Sequence, residues 1–319
     1  ESPSLNGQDW VVEEYSDSEK LISIKRYRNK HPEGTWSFYY PDGKTEQIKE
    51  NYENGKLSGS VGASYFRTDG ISALAAGSER DGYRNFAANG KLKVAFNDSV
   101  SLDLRAYYNK GRAQFDDPFG ATPDTFPETK NSQFVGYVGL NADFADGRFR
   151  NRVAYTRTDL HRVGTEPNVP FSFNVNELRG KVDRFEYQGA FDIVDKVTLV
   201  FGIEHERTFA STYFPAGGGA APDQANYRVT SEYGQLIVRP ITGLTLTGGV
   251  RHDDYNIYGS QTTFGGNFAY TPNEGRTVLR GTYAEGFRAP TLTESVLPFG
   301  NPALKAETAK SFDVGIEQN

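Results

Sequence analysis

Cysteine and methionine are absent from the 319 residues, tryptophan occurs twice and histidine only four times. Without cysteine there are no disulfides and no thiolate metal sites, although this leaves the cellular compartment open. His31, His161, His205 and His252 fall in separate segments with no HxH or HExxH spacing, which argues against a zinc centre. GxSxG, Walker and dinucleotide-binding fingerprints are also missing. No acid–base pair stands apart from the many strand carboxylates, so the chain reads as a non-enzyme. No run of about 18 apolar residues exists, which excludes a transmembrane helix but not membrane strands. A net charge of −6 with no basic stripe argues against a nucleic-acid partner. Methionine is missing even at position 1 and no signal peptide precedes Glu1, so the chain is expected to be a mature product or a piece of a longer one.

What the chain has instead is 34 glycines, 19 tyrosines and 22 phenylalanines, with only 37% of residues drawn from AVILMFWYC. Apolar surface therefore comes from aromatics and small residues. That composition suits a sheet with one face toward lipid and one toward water, with Tyr and Phe at the interfaces. Alternating segments lie near 58–68, 86–96, 99–109, 132–145, 148–159, 177–193, 196–209, 226–239, 243–256, 261–272, 276–288 and 307–318. Their connections come in two kinds. Asn97-Asp98, Asp146-Gly147, Asp195, Ile241-Thr242 and Asn273-Glu274-Gly275 are short, whereas 69–85, 110–131, 160–176, 210–225 and 289–306 are long and rich in Pro, Gly and Asp. The two kinds alternate, with 257–260 the one short member of the long set. This is the asymmetry of an outer-membrane barrel, with tight turns at one end and long loops at the other.

The faces agree. Val100, Leu102, Leu104, Ala106 and Tyr108 alternate with Ser101, Asp103, Arg105 and Tyr107; Leu244, Leu246 and Val250 alternate with Thr245, Thr247, Arg251 and Asp253. An arginine facing mid-bilayer lipid costs about 2–4 kcal/mol, so Arg105 and Arg251 are expected on the face turned away from lipid. The predicted fold is all-β: an antiparallel up-and-down transmembrane β-barrel, partial at about 12 strands, preceded by short β-hairpin repeats.

Residues 1–59 have a different character. Trp10, Tyr15, Asp17, Tyr27 and Asn29 recur about 25 residues later as Trp36, Tyr40, Asp42, Tyr52 and Asn54. Asp42-Gly43 and Asn54-Gly55 supply hairpin turns. The second copy resembles a MORN-type repeat of the YwqK-like kind, which implies a small interaction surface over about residues 7–59; an edge array of hairpins is an equally good reading. The expected division is 1–59 for these hairpins and 60–319 for the barrel.

The most specific stretch lies near the C-terminus. Tyr283-Ala284-Glu285-Gly286-Phe287-Arg288-Ala289-Pro290-Thr291-Leu292 is followed by Gly300-Asn301-Pro302-Ala303-Leu304-Lys305-Ala306-Glu307 and then Gly315-Ile316-Glu317. These three blocks, in this order and spacing, resemble the barrel signature of TonB-dependent outer-membrane receptors. The signature residues are Glu285, Gly286, Phe287, Arg288, Pro290, Asn301, Pro302, Leu304 and Glu307. Over about residues 58–319 the resemblance is to cobalamin-receptor-like members. It implies localisation in the outer membrane and uptake of a scarce nutrient, of the cobalamin or iron-siderophore class, energised by the TonB complex. The partners it implies are outer-membrane lipid and an extracellular small molecule. The TonB complex is a partner only if a full-length receptor supplies the plug, because no plug domain or TonB box is present and the family has 22 strands.

No cofactor is required. By position, the resemblance also implies a calcium site on the first long loops, drawing on Asp81 and on Asp116 or Asp117, with Asp69 and Glu79 as weaker matches. Calcium takes six to eight oxygens, which loops contributing one or two carboxylates each are able to assemble; Asp-Gly pairs that only make turns are the plainer reading. Aromatic loop residues Phe115, Phe119, Phe126, Phe171, Phe173, Tyr213 and Phe214 are candidates for ligand contact, or for loop packing. The competing functional class is a non-transporting β-rich structural or interaction protein that binds a partner through the repeat.

Overall fold

The computed structural model describes residues 9–15, 21–28, 31–32, 34–39, 46–53, 56–72, 80–116, 127–165, 175–213, 222–297 and 300–318. Strands dominate. The chain divides into two compact units, residues 1–140 with 162–170 and residues 141–161 with 171–319.

The first unit opens with short strands: β1 (Asp9–Tyr15), β2 (Leu21–Arg28), β3 (His31–Pro32), β4 (Gly34–Tyr39) and β5 (Glu46–Glu53). β1 pairs with β2, β2 with β3 and β4, and β4 with β5, all antiparallel, so the hairpins expected before the long strands are present. β5 then pairs with β6 (Leu57–Thr68), setting Glu50 opposite Ser60. The hairpin segment thereby continues straight into the ladder of long strands. β6 pairs with β7 (Tyr83–Ala95), and β7 with β8 (Val100–Gln114). β9 (Glu128–Phe144) completes the long strands that begin in this unit.

The second unit holds most of β10 (Phe149–Thr165) and all of β11 (Val175–Val194), β12 (Val197–Tyr213), β13 (Asp223–Val238), β14 (Leu244–Tyr255), β15 (Gly259–Tyr270), β16 (Thr277–Arg288) and β17 (Glu307–Gln318). From β11 to β17 every strand pairs antiparallel with the next. All twelve long strands expected from the sequence, β6 to β17, are therefore present. Their turn ends fall within one or two residues of the alternation boundary. Several long-loop ends run further than expected: β8 to Gln114 rather than 109, β10 to Thr165 rather than 159, and β12 to Tyr213 rather than 209. The backbone ladder continues where side chains cease to alternate between apolar and polar; in the β12 extension the neighbours Ser211 and Thr212 are both buried, so the two faces there no longer differ. β11, at 20 residues, is about 66 Å long at 3.3 Å per residue, whereas about 9–11 residues suffice to cross a bilayer.

Turn chemistry explains the tight end. Asn97 Oδ1 accepts the backbone N–H groups of Ser99 and Val100 at 2.9 and 2.8 Å, closing the β7–β8 connection. Between β13 and β14, Gly243 adopts φ +80°, and a Cβ there would lie 2.6 Å from the Thr271 carbonyl, so this turn needs glycine for both conformation and space.

Among the described residues very little apolar surface is buried. The buried hydrophobic residues are Ala154, Ala225, Val229, Leu292 and Leu297, while Phe185, Ile203, Leu236, Leu246, Val250, Phe264, Phe312, Val314 and Ile316 are all exposed. In the second unit the register places these exposed residues on one face: Ile203, Leu236, Leu246, Phe264 and Val314 belong to one set of alternate positions, and Glu204, Tyr233, Arg251, Thr263 and Thr282 to the other. A contiguous exposed apolar face of this extent marks contact with lipid or a partner. No helix among the described residues is long and apolar enough to cross a membrane.

Candidate functional site

Two features of the second unit stand out: an ion-paired polar face and a folded connection between β16 and β17.

On the polar face, Arg251 of β14 reaches Glu204 of β12 at 3.0 Å and Asp253 on its own strand at 2.9 Å, with its guanidinium 5.9 Å from the Tyr233 ring centroid. Arg184 holds Glu206 at 2.6 Å across β11 and β12, and Arg152 of β10 holds Glu186 at 3.0 Å and Gln188 at 2.8 Å. Arg251 thus lies on the face away from the exposed apolar residues, as alternation predicts. In the first unit Arg105 does likewise, donating to Asp103 at 3.0 Å with its guanidinium 5.2 Å from the Tyr137 ring. The guanidiniums take carboxylates from an adjacent strand (Arg152–Glu186, Arg184–Glu206), from two strands away (Arg251–Glu204) or from their own strand (Arg105–Asp103).

Below Arg251 the polar face is hollow. Gly249 and Gly265 sit directly opposite each other, flanked in the same row by Gln235 and Ala284. The missing side chains leave a cavity of about 460 Å³ lined by Glu204, Tyr233, Arg251, Asn267 and Thr282 among others. Its walls offer donors and acceptors for a polar solute or a docked segment.

The β16–β17 connection accounts for most of the signature residues. Pro290 is buried and ends the strand. A one-turn helix, α1 (Leu292–Ser295), follows with a capping box: Thr291 Oγ1 accepts the Glu294 N–H at 3.2 Å and Glu294 Oε2 accepts the Thr291 N–H at 2.8 Å. Arg288 bridges the base of the connection, donating to Glu294 at 2.8 Å and Glu307 at 3.2 Å. Asn301 Oδ1 accepts the Ala303 N–H at 2.9 Å, forming the turn that Pro302 occupies, and the Asn301 N–H reaches the Glu294 carbonyl at 2.7 Å. Leu292 and Leu297 are buried against Ala225, with Ala210 and Tyr227 packed alongside. Phe287 joins Tyr227, Tyr255 and Tyr258 in an aromatic cluster with ring centroids about 6 Å apart. The Tyr258 and Ser295 hydroxyls meet at 2.6 Å.

On β16, Glu285 lies beyond the last paired residue of β15. Its carboxylate accepts the Phe264 N–H at 3.0 Å in place of a ladder bond, together with the Tyr283 hydroxyl at 2.6 Å, and it pairs with Lys310 at 3.0 Å. Gly286 is exposed and opposite Ala309, and Leu304 is exposed. The Glu294 carboxyl is held below its ordinary value, first by the Thr291 N–H and then by Arg288 and the Thr291 hydroxyl.

The predicted loop sites divide. Asp117, Phe119, Phe126, Phe171, Phe173, Phe214 and Glu79 lie outside the described residues. Asp116 is buried and accepts from Ser72 Oγ at 3.2 Å; the Asp81 N–H reaches the Ile71 carbonyl at 3.3 Å, and the Gln114 N–H reaches the Gly82 carbonyl at 2.9 Å. The segments bearing Asp81 and Asp116 are thus stitched to one another through 71–72. Asp69 pairs with Arg67 at 3.1 Å. Among the described residues no group of three acidic or histidine side chains gathers as a metal site. Phe115 is exposed, and Tyr213 is half-buried at the end of β12. Sequence reasoning missed the Tyr258–Ser295 contact and the glycine row, which only register reveals. It also passed over the Thr291–Glu294 capping box, whose T-x-x-E spacing was there to be read.

Comparison with known proteins places this geometry. The family model described as "TonB dependent receptor-like, beta-barrel" matches residues 23–319. Two curated relatives are vitamin B12 transporters BtuB, from Photobacterium profundum at 26% identity over 275 residues and from Vibrio vulnificus at 23% over 278. Each alignment covers 82% of this chain and 42% of the relative. Among solved structures, the siderophore receptor PirA from Acinetobacter baumannii superposes with TM-score 0.70 at 14% identity, covering 100% of this chain and 51% of that one. The ferric enterobactin receptor PfeA from Pseudomonas aeruginosa gives 0.67 at 15%, covering 98% and 50%. The chain spans about half the length of the relatives it matches.

Proposed function

The chain belongs to the TonB-dependent receptor-like β-barrel family, and from that premise we propose that it forms part of the wall of an outer-membrane receptor for a scarce nutrient of the cobalamin or iron-siderophore class. The observation that carries this reading is the segregation of faces in the second unit: exposed Ile203, Leu236, Leu246, Phe264 and Val314 on one side, and the Arg184–Glu206 and Arg251–Glu204 pairs on the other. In such a receptor the apolar face meets lipid, the ion-paired face and the glycine-floored cavity line the interior, and the long loops receive the nutrient. Uptake is proposed for the whole receptor, with its plug and the TonB complex, since this chain covers 42% of the BtuB relatives. The BtuB matches favour a corrinoid, whereas the PirA and PfeA likeness extends to fold alone.

Calcium belongs to the same proposal. Asp81 and Asp116 stand on the adjoining segments stitched through 71–72, and Asp117 and Glu79 are the side chains that would raise the oxygen count toward the six to eight that calcium takes. Calcium is then expected to protect loop 69–85 from proteolysis in the native protein and not in Asp81→Asn; equal cleavage with and without calcium sinks the metal.

Functional assignment is tested by folding and binding together. Solubilised in detergent, the protein should migrate faster unheated than boiled, and cyanocobalamin should bind to it more tightly than a ferric siderophore. Identical migration and no binding of either would favour the other class, a structural protein whose hairpin repeat at about residues 7–59 captures a partner. That class draws its support from the 25-residue spacing and from the β1–β2 and β4–β5 hairpins.

A further inference from the structure

On the apolar face of β6, β7 and β8 the register builds a graded ladder. Leu57, Val94 and Leu102 form its first row near the short turn, and Gly59, Leu92 and Leu104 its second. Further along, Ala63, Ala88 and Tyr108 stand together, then Tyr65, Phe86 and Lys110, with the Phe86 and Tyr108 rings 6.5 Å apart. The next row is Arg67, Arg84 and Arg112, three arginines directly opposite one another on three neighbouring strands.

Like charges in direct cross-strand register repel. Arg67 has Asp69 at 3.1 Å, and Arg112 pairs with Glu128, which Lys130 shares. Among the described residues no carboxylate pairs with Arg84, at the centre of the row, or with Lys110 beside it. The second unit repeats the device independently: Arg207 of β12 is directly opposite Arg228 of β13, beyond exposed Ile203 on the apolar face, and neither has a carboxylate partner among the described residues.

We propose that the Arg67, Arg84 and Arg112 row binds the phosphate of an anionic membrane lipid in the leaflet on the long-loop side. The assignment rests on the membrane reading above. The row lies one step beyond Tyr65 and Phe86 and two beyond Tyr108, which is headgroup level for a strand whose apolar face ends there. Guanidinium forks match phosphate oxygens bidentately, and an anion seated over Arg84 converts a repulsive row into a binding one.

The test uses the whole chain in neutral-detergent micelles, titrated with phosphatidic acid and with phosphatidylcholine of the same acyl chains. Phosphatidic acid should bind about tenfold or more tightly than phosphatidylcholine, and Arg84→Gln should remove about that factor while leaving phosphatidylcholine unchanged. Lys93→Gln, on the other face of β7, should change neither. The native protein's salt dependence answers without any substitution: added salt should weaken the phosphatidic acid complex alone. Equal binding of the two lipids, or native-like selectivity in Arg84→Gln, overturns the proposal and leaves the membrane reading standing. Binding of neither lipid overturns both. Inorganic phosphate displacing phosphatidic acid at equal concentration would assign the row to a free anion and overturn the lipid.

Discussion

Glu294 is the residue on which the β16–β17 connection turns, because one carboxylate serves the capping box and the Arg288 bridge at once. Its folded pKa lies below the ordinary 4.5, so its contribution is fully present above that value and is lost as pH falls through the folded pKa. The connection is therefore expected to stay closed from neutral pH down to about 4.5 and to loosen below it. Hydrogen exchange at the Glu294 and Ser295 amides, corrected for intrinsic rates, reads this directly, and Glu294→Gln should flatten the pH dependence; an unchanged profile would remove Glu294 from the account. Gly300 makes a second prediction at this scale. A Cβ there would stand 2.8 Å from the Leu297 carbonyl oxygen and 2.9 Å from Ser295 and Val296 backbone atoms. Gly300→Ala should cost about 1–3 kcal/mol of local stability, seen as faster proteolysis within 289–306.

At the level of the strand, face assignment is what substitutions probe. Leu246 and Thr247 are neighbours on β14 with opposite surroundings, one among exposed Leu236 and Phe268 and the other lining the glycine-floored cavity. Leu246→Arg should lower stability by about 2–4 kcal/mol in a bilayer, while Thr247→Arg should stay within about 0.5 kcal/mol. Equal losses in denaturant titrations of the two variants would contradict the assignment. This part of the fold was legible beforehand because alternation records two different environments on the two faces of a strand: Leu244, Leu246 and Val250 against Thr245, Thr247 and Arg251 needed no partner strand to be read. What lay beyond the alternation was not legible. The long-loop extensions of β8, β10 and β12 carry no apolar–polar alternation, with Ser211 and Thr212 both buried, and the Arg67, Arg84 and Arg112 row comes from three segments whose register the sequence does not give. The signature around Glu285 to Glu307 could be recognised as a pattern, yet its reason, a connection clamped by Arg288 and pinned by Leu292, Leu297 and Tyr258, is visible only once folded.

For the molecule as a whole, the distribution of apolar surface is the deciding quantity. A soluble protein of this size would bury its Phe, Leu and Ile in a core; among the described residues here most of the large apolar ones stay outside, and Arg251, Glu204, Arg184 and Glu206 pair on the opposite face. The absence of native cysteine makes this claim open to a clean measurement. Residues 244–251 are replaced one at a time by cysteine in protein reconstituted into neutral bilayers, and each thiol is exposed to a membrane-impermeant maleimide. Positions 245, 247, 249 and 251 are expected to react and positions 244, 246, 248 and 250 to be protected, a period of two running along the strand. Uniform reactivity, or protection of the odd positions instead, would contradict the reading of β14 as a membrane-spanning receptor strand and of the chain as part of a barrel wall.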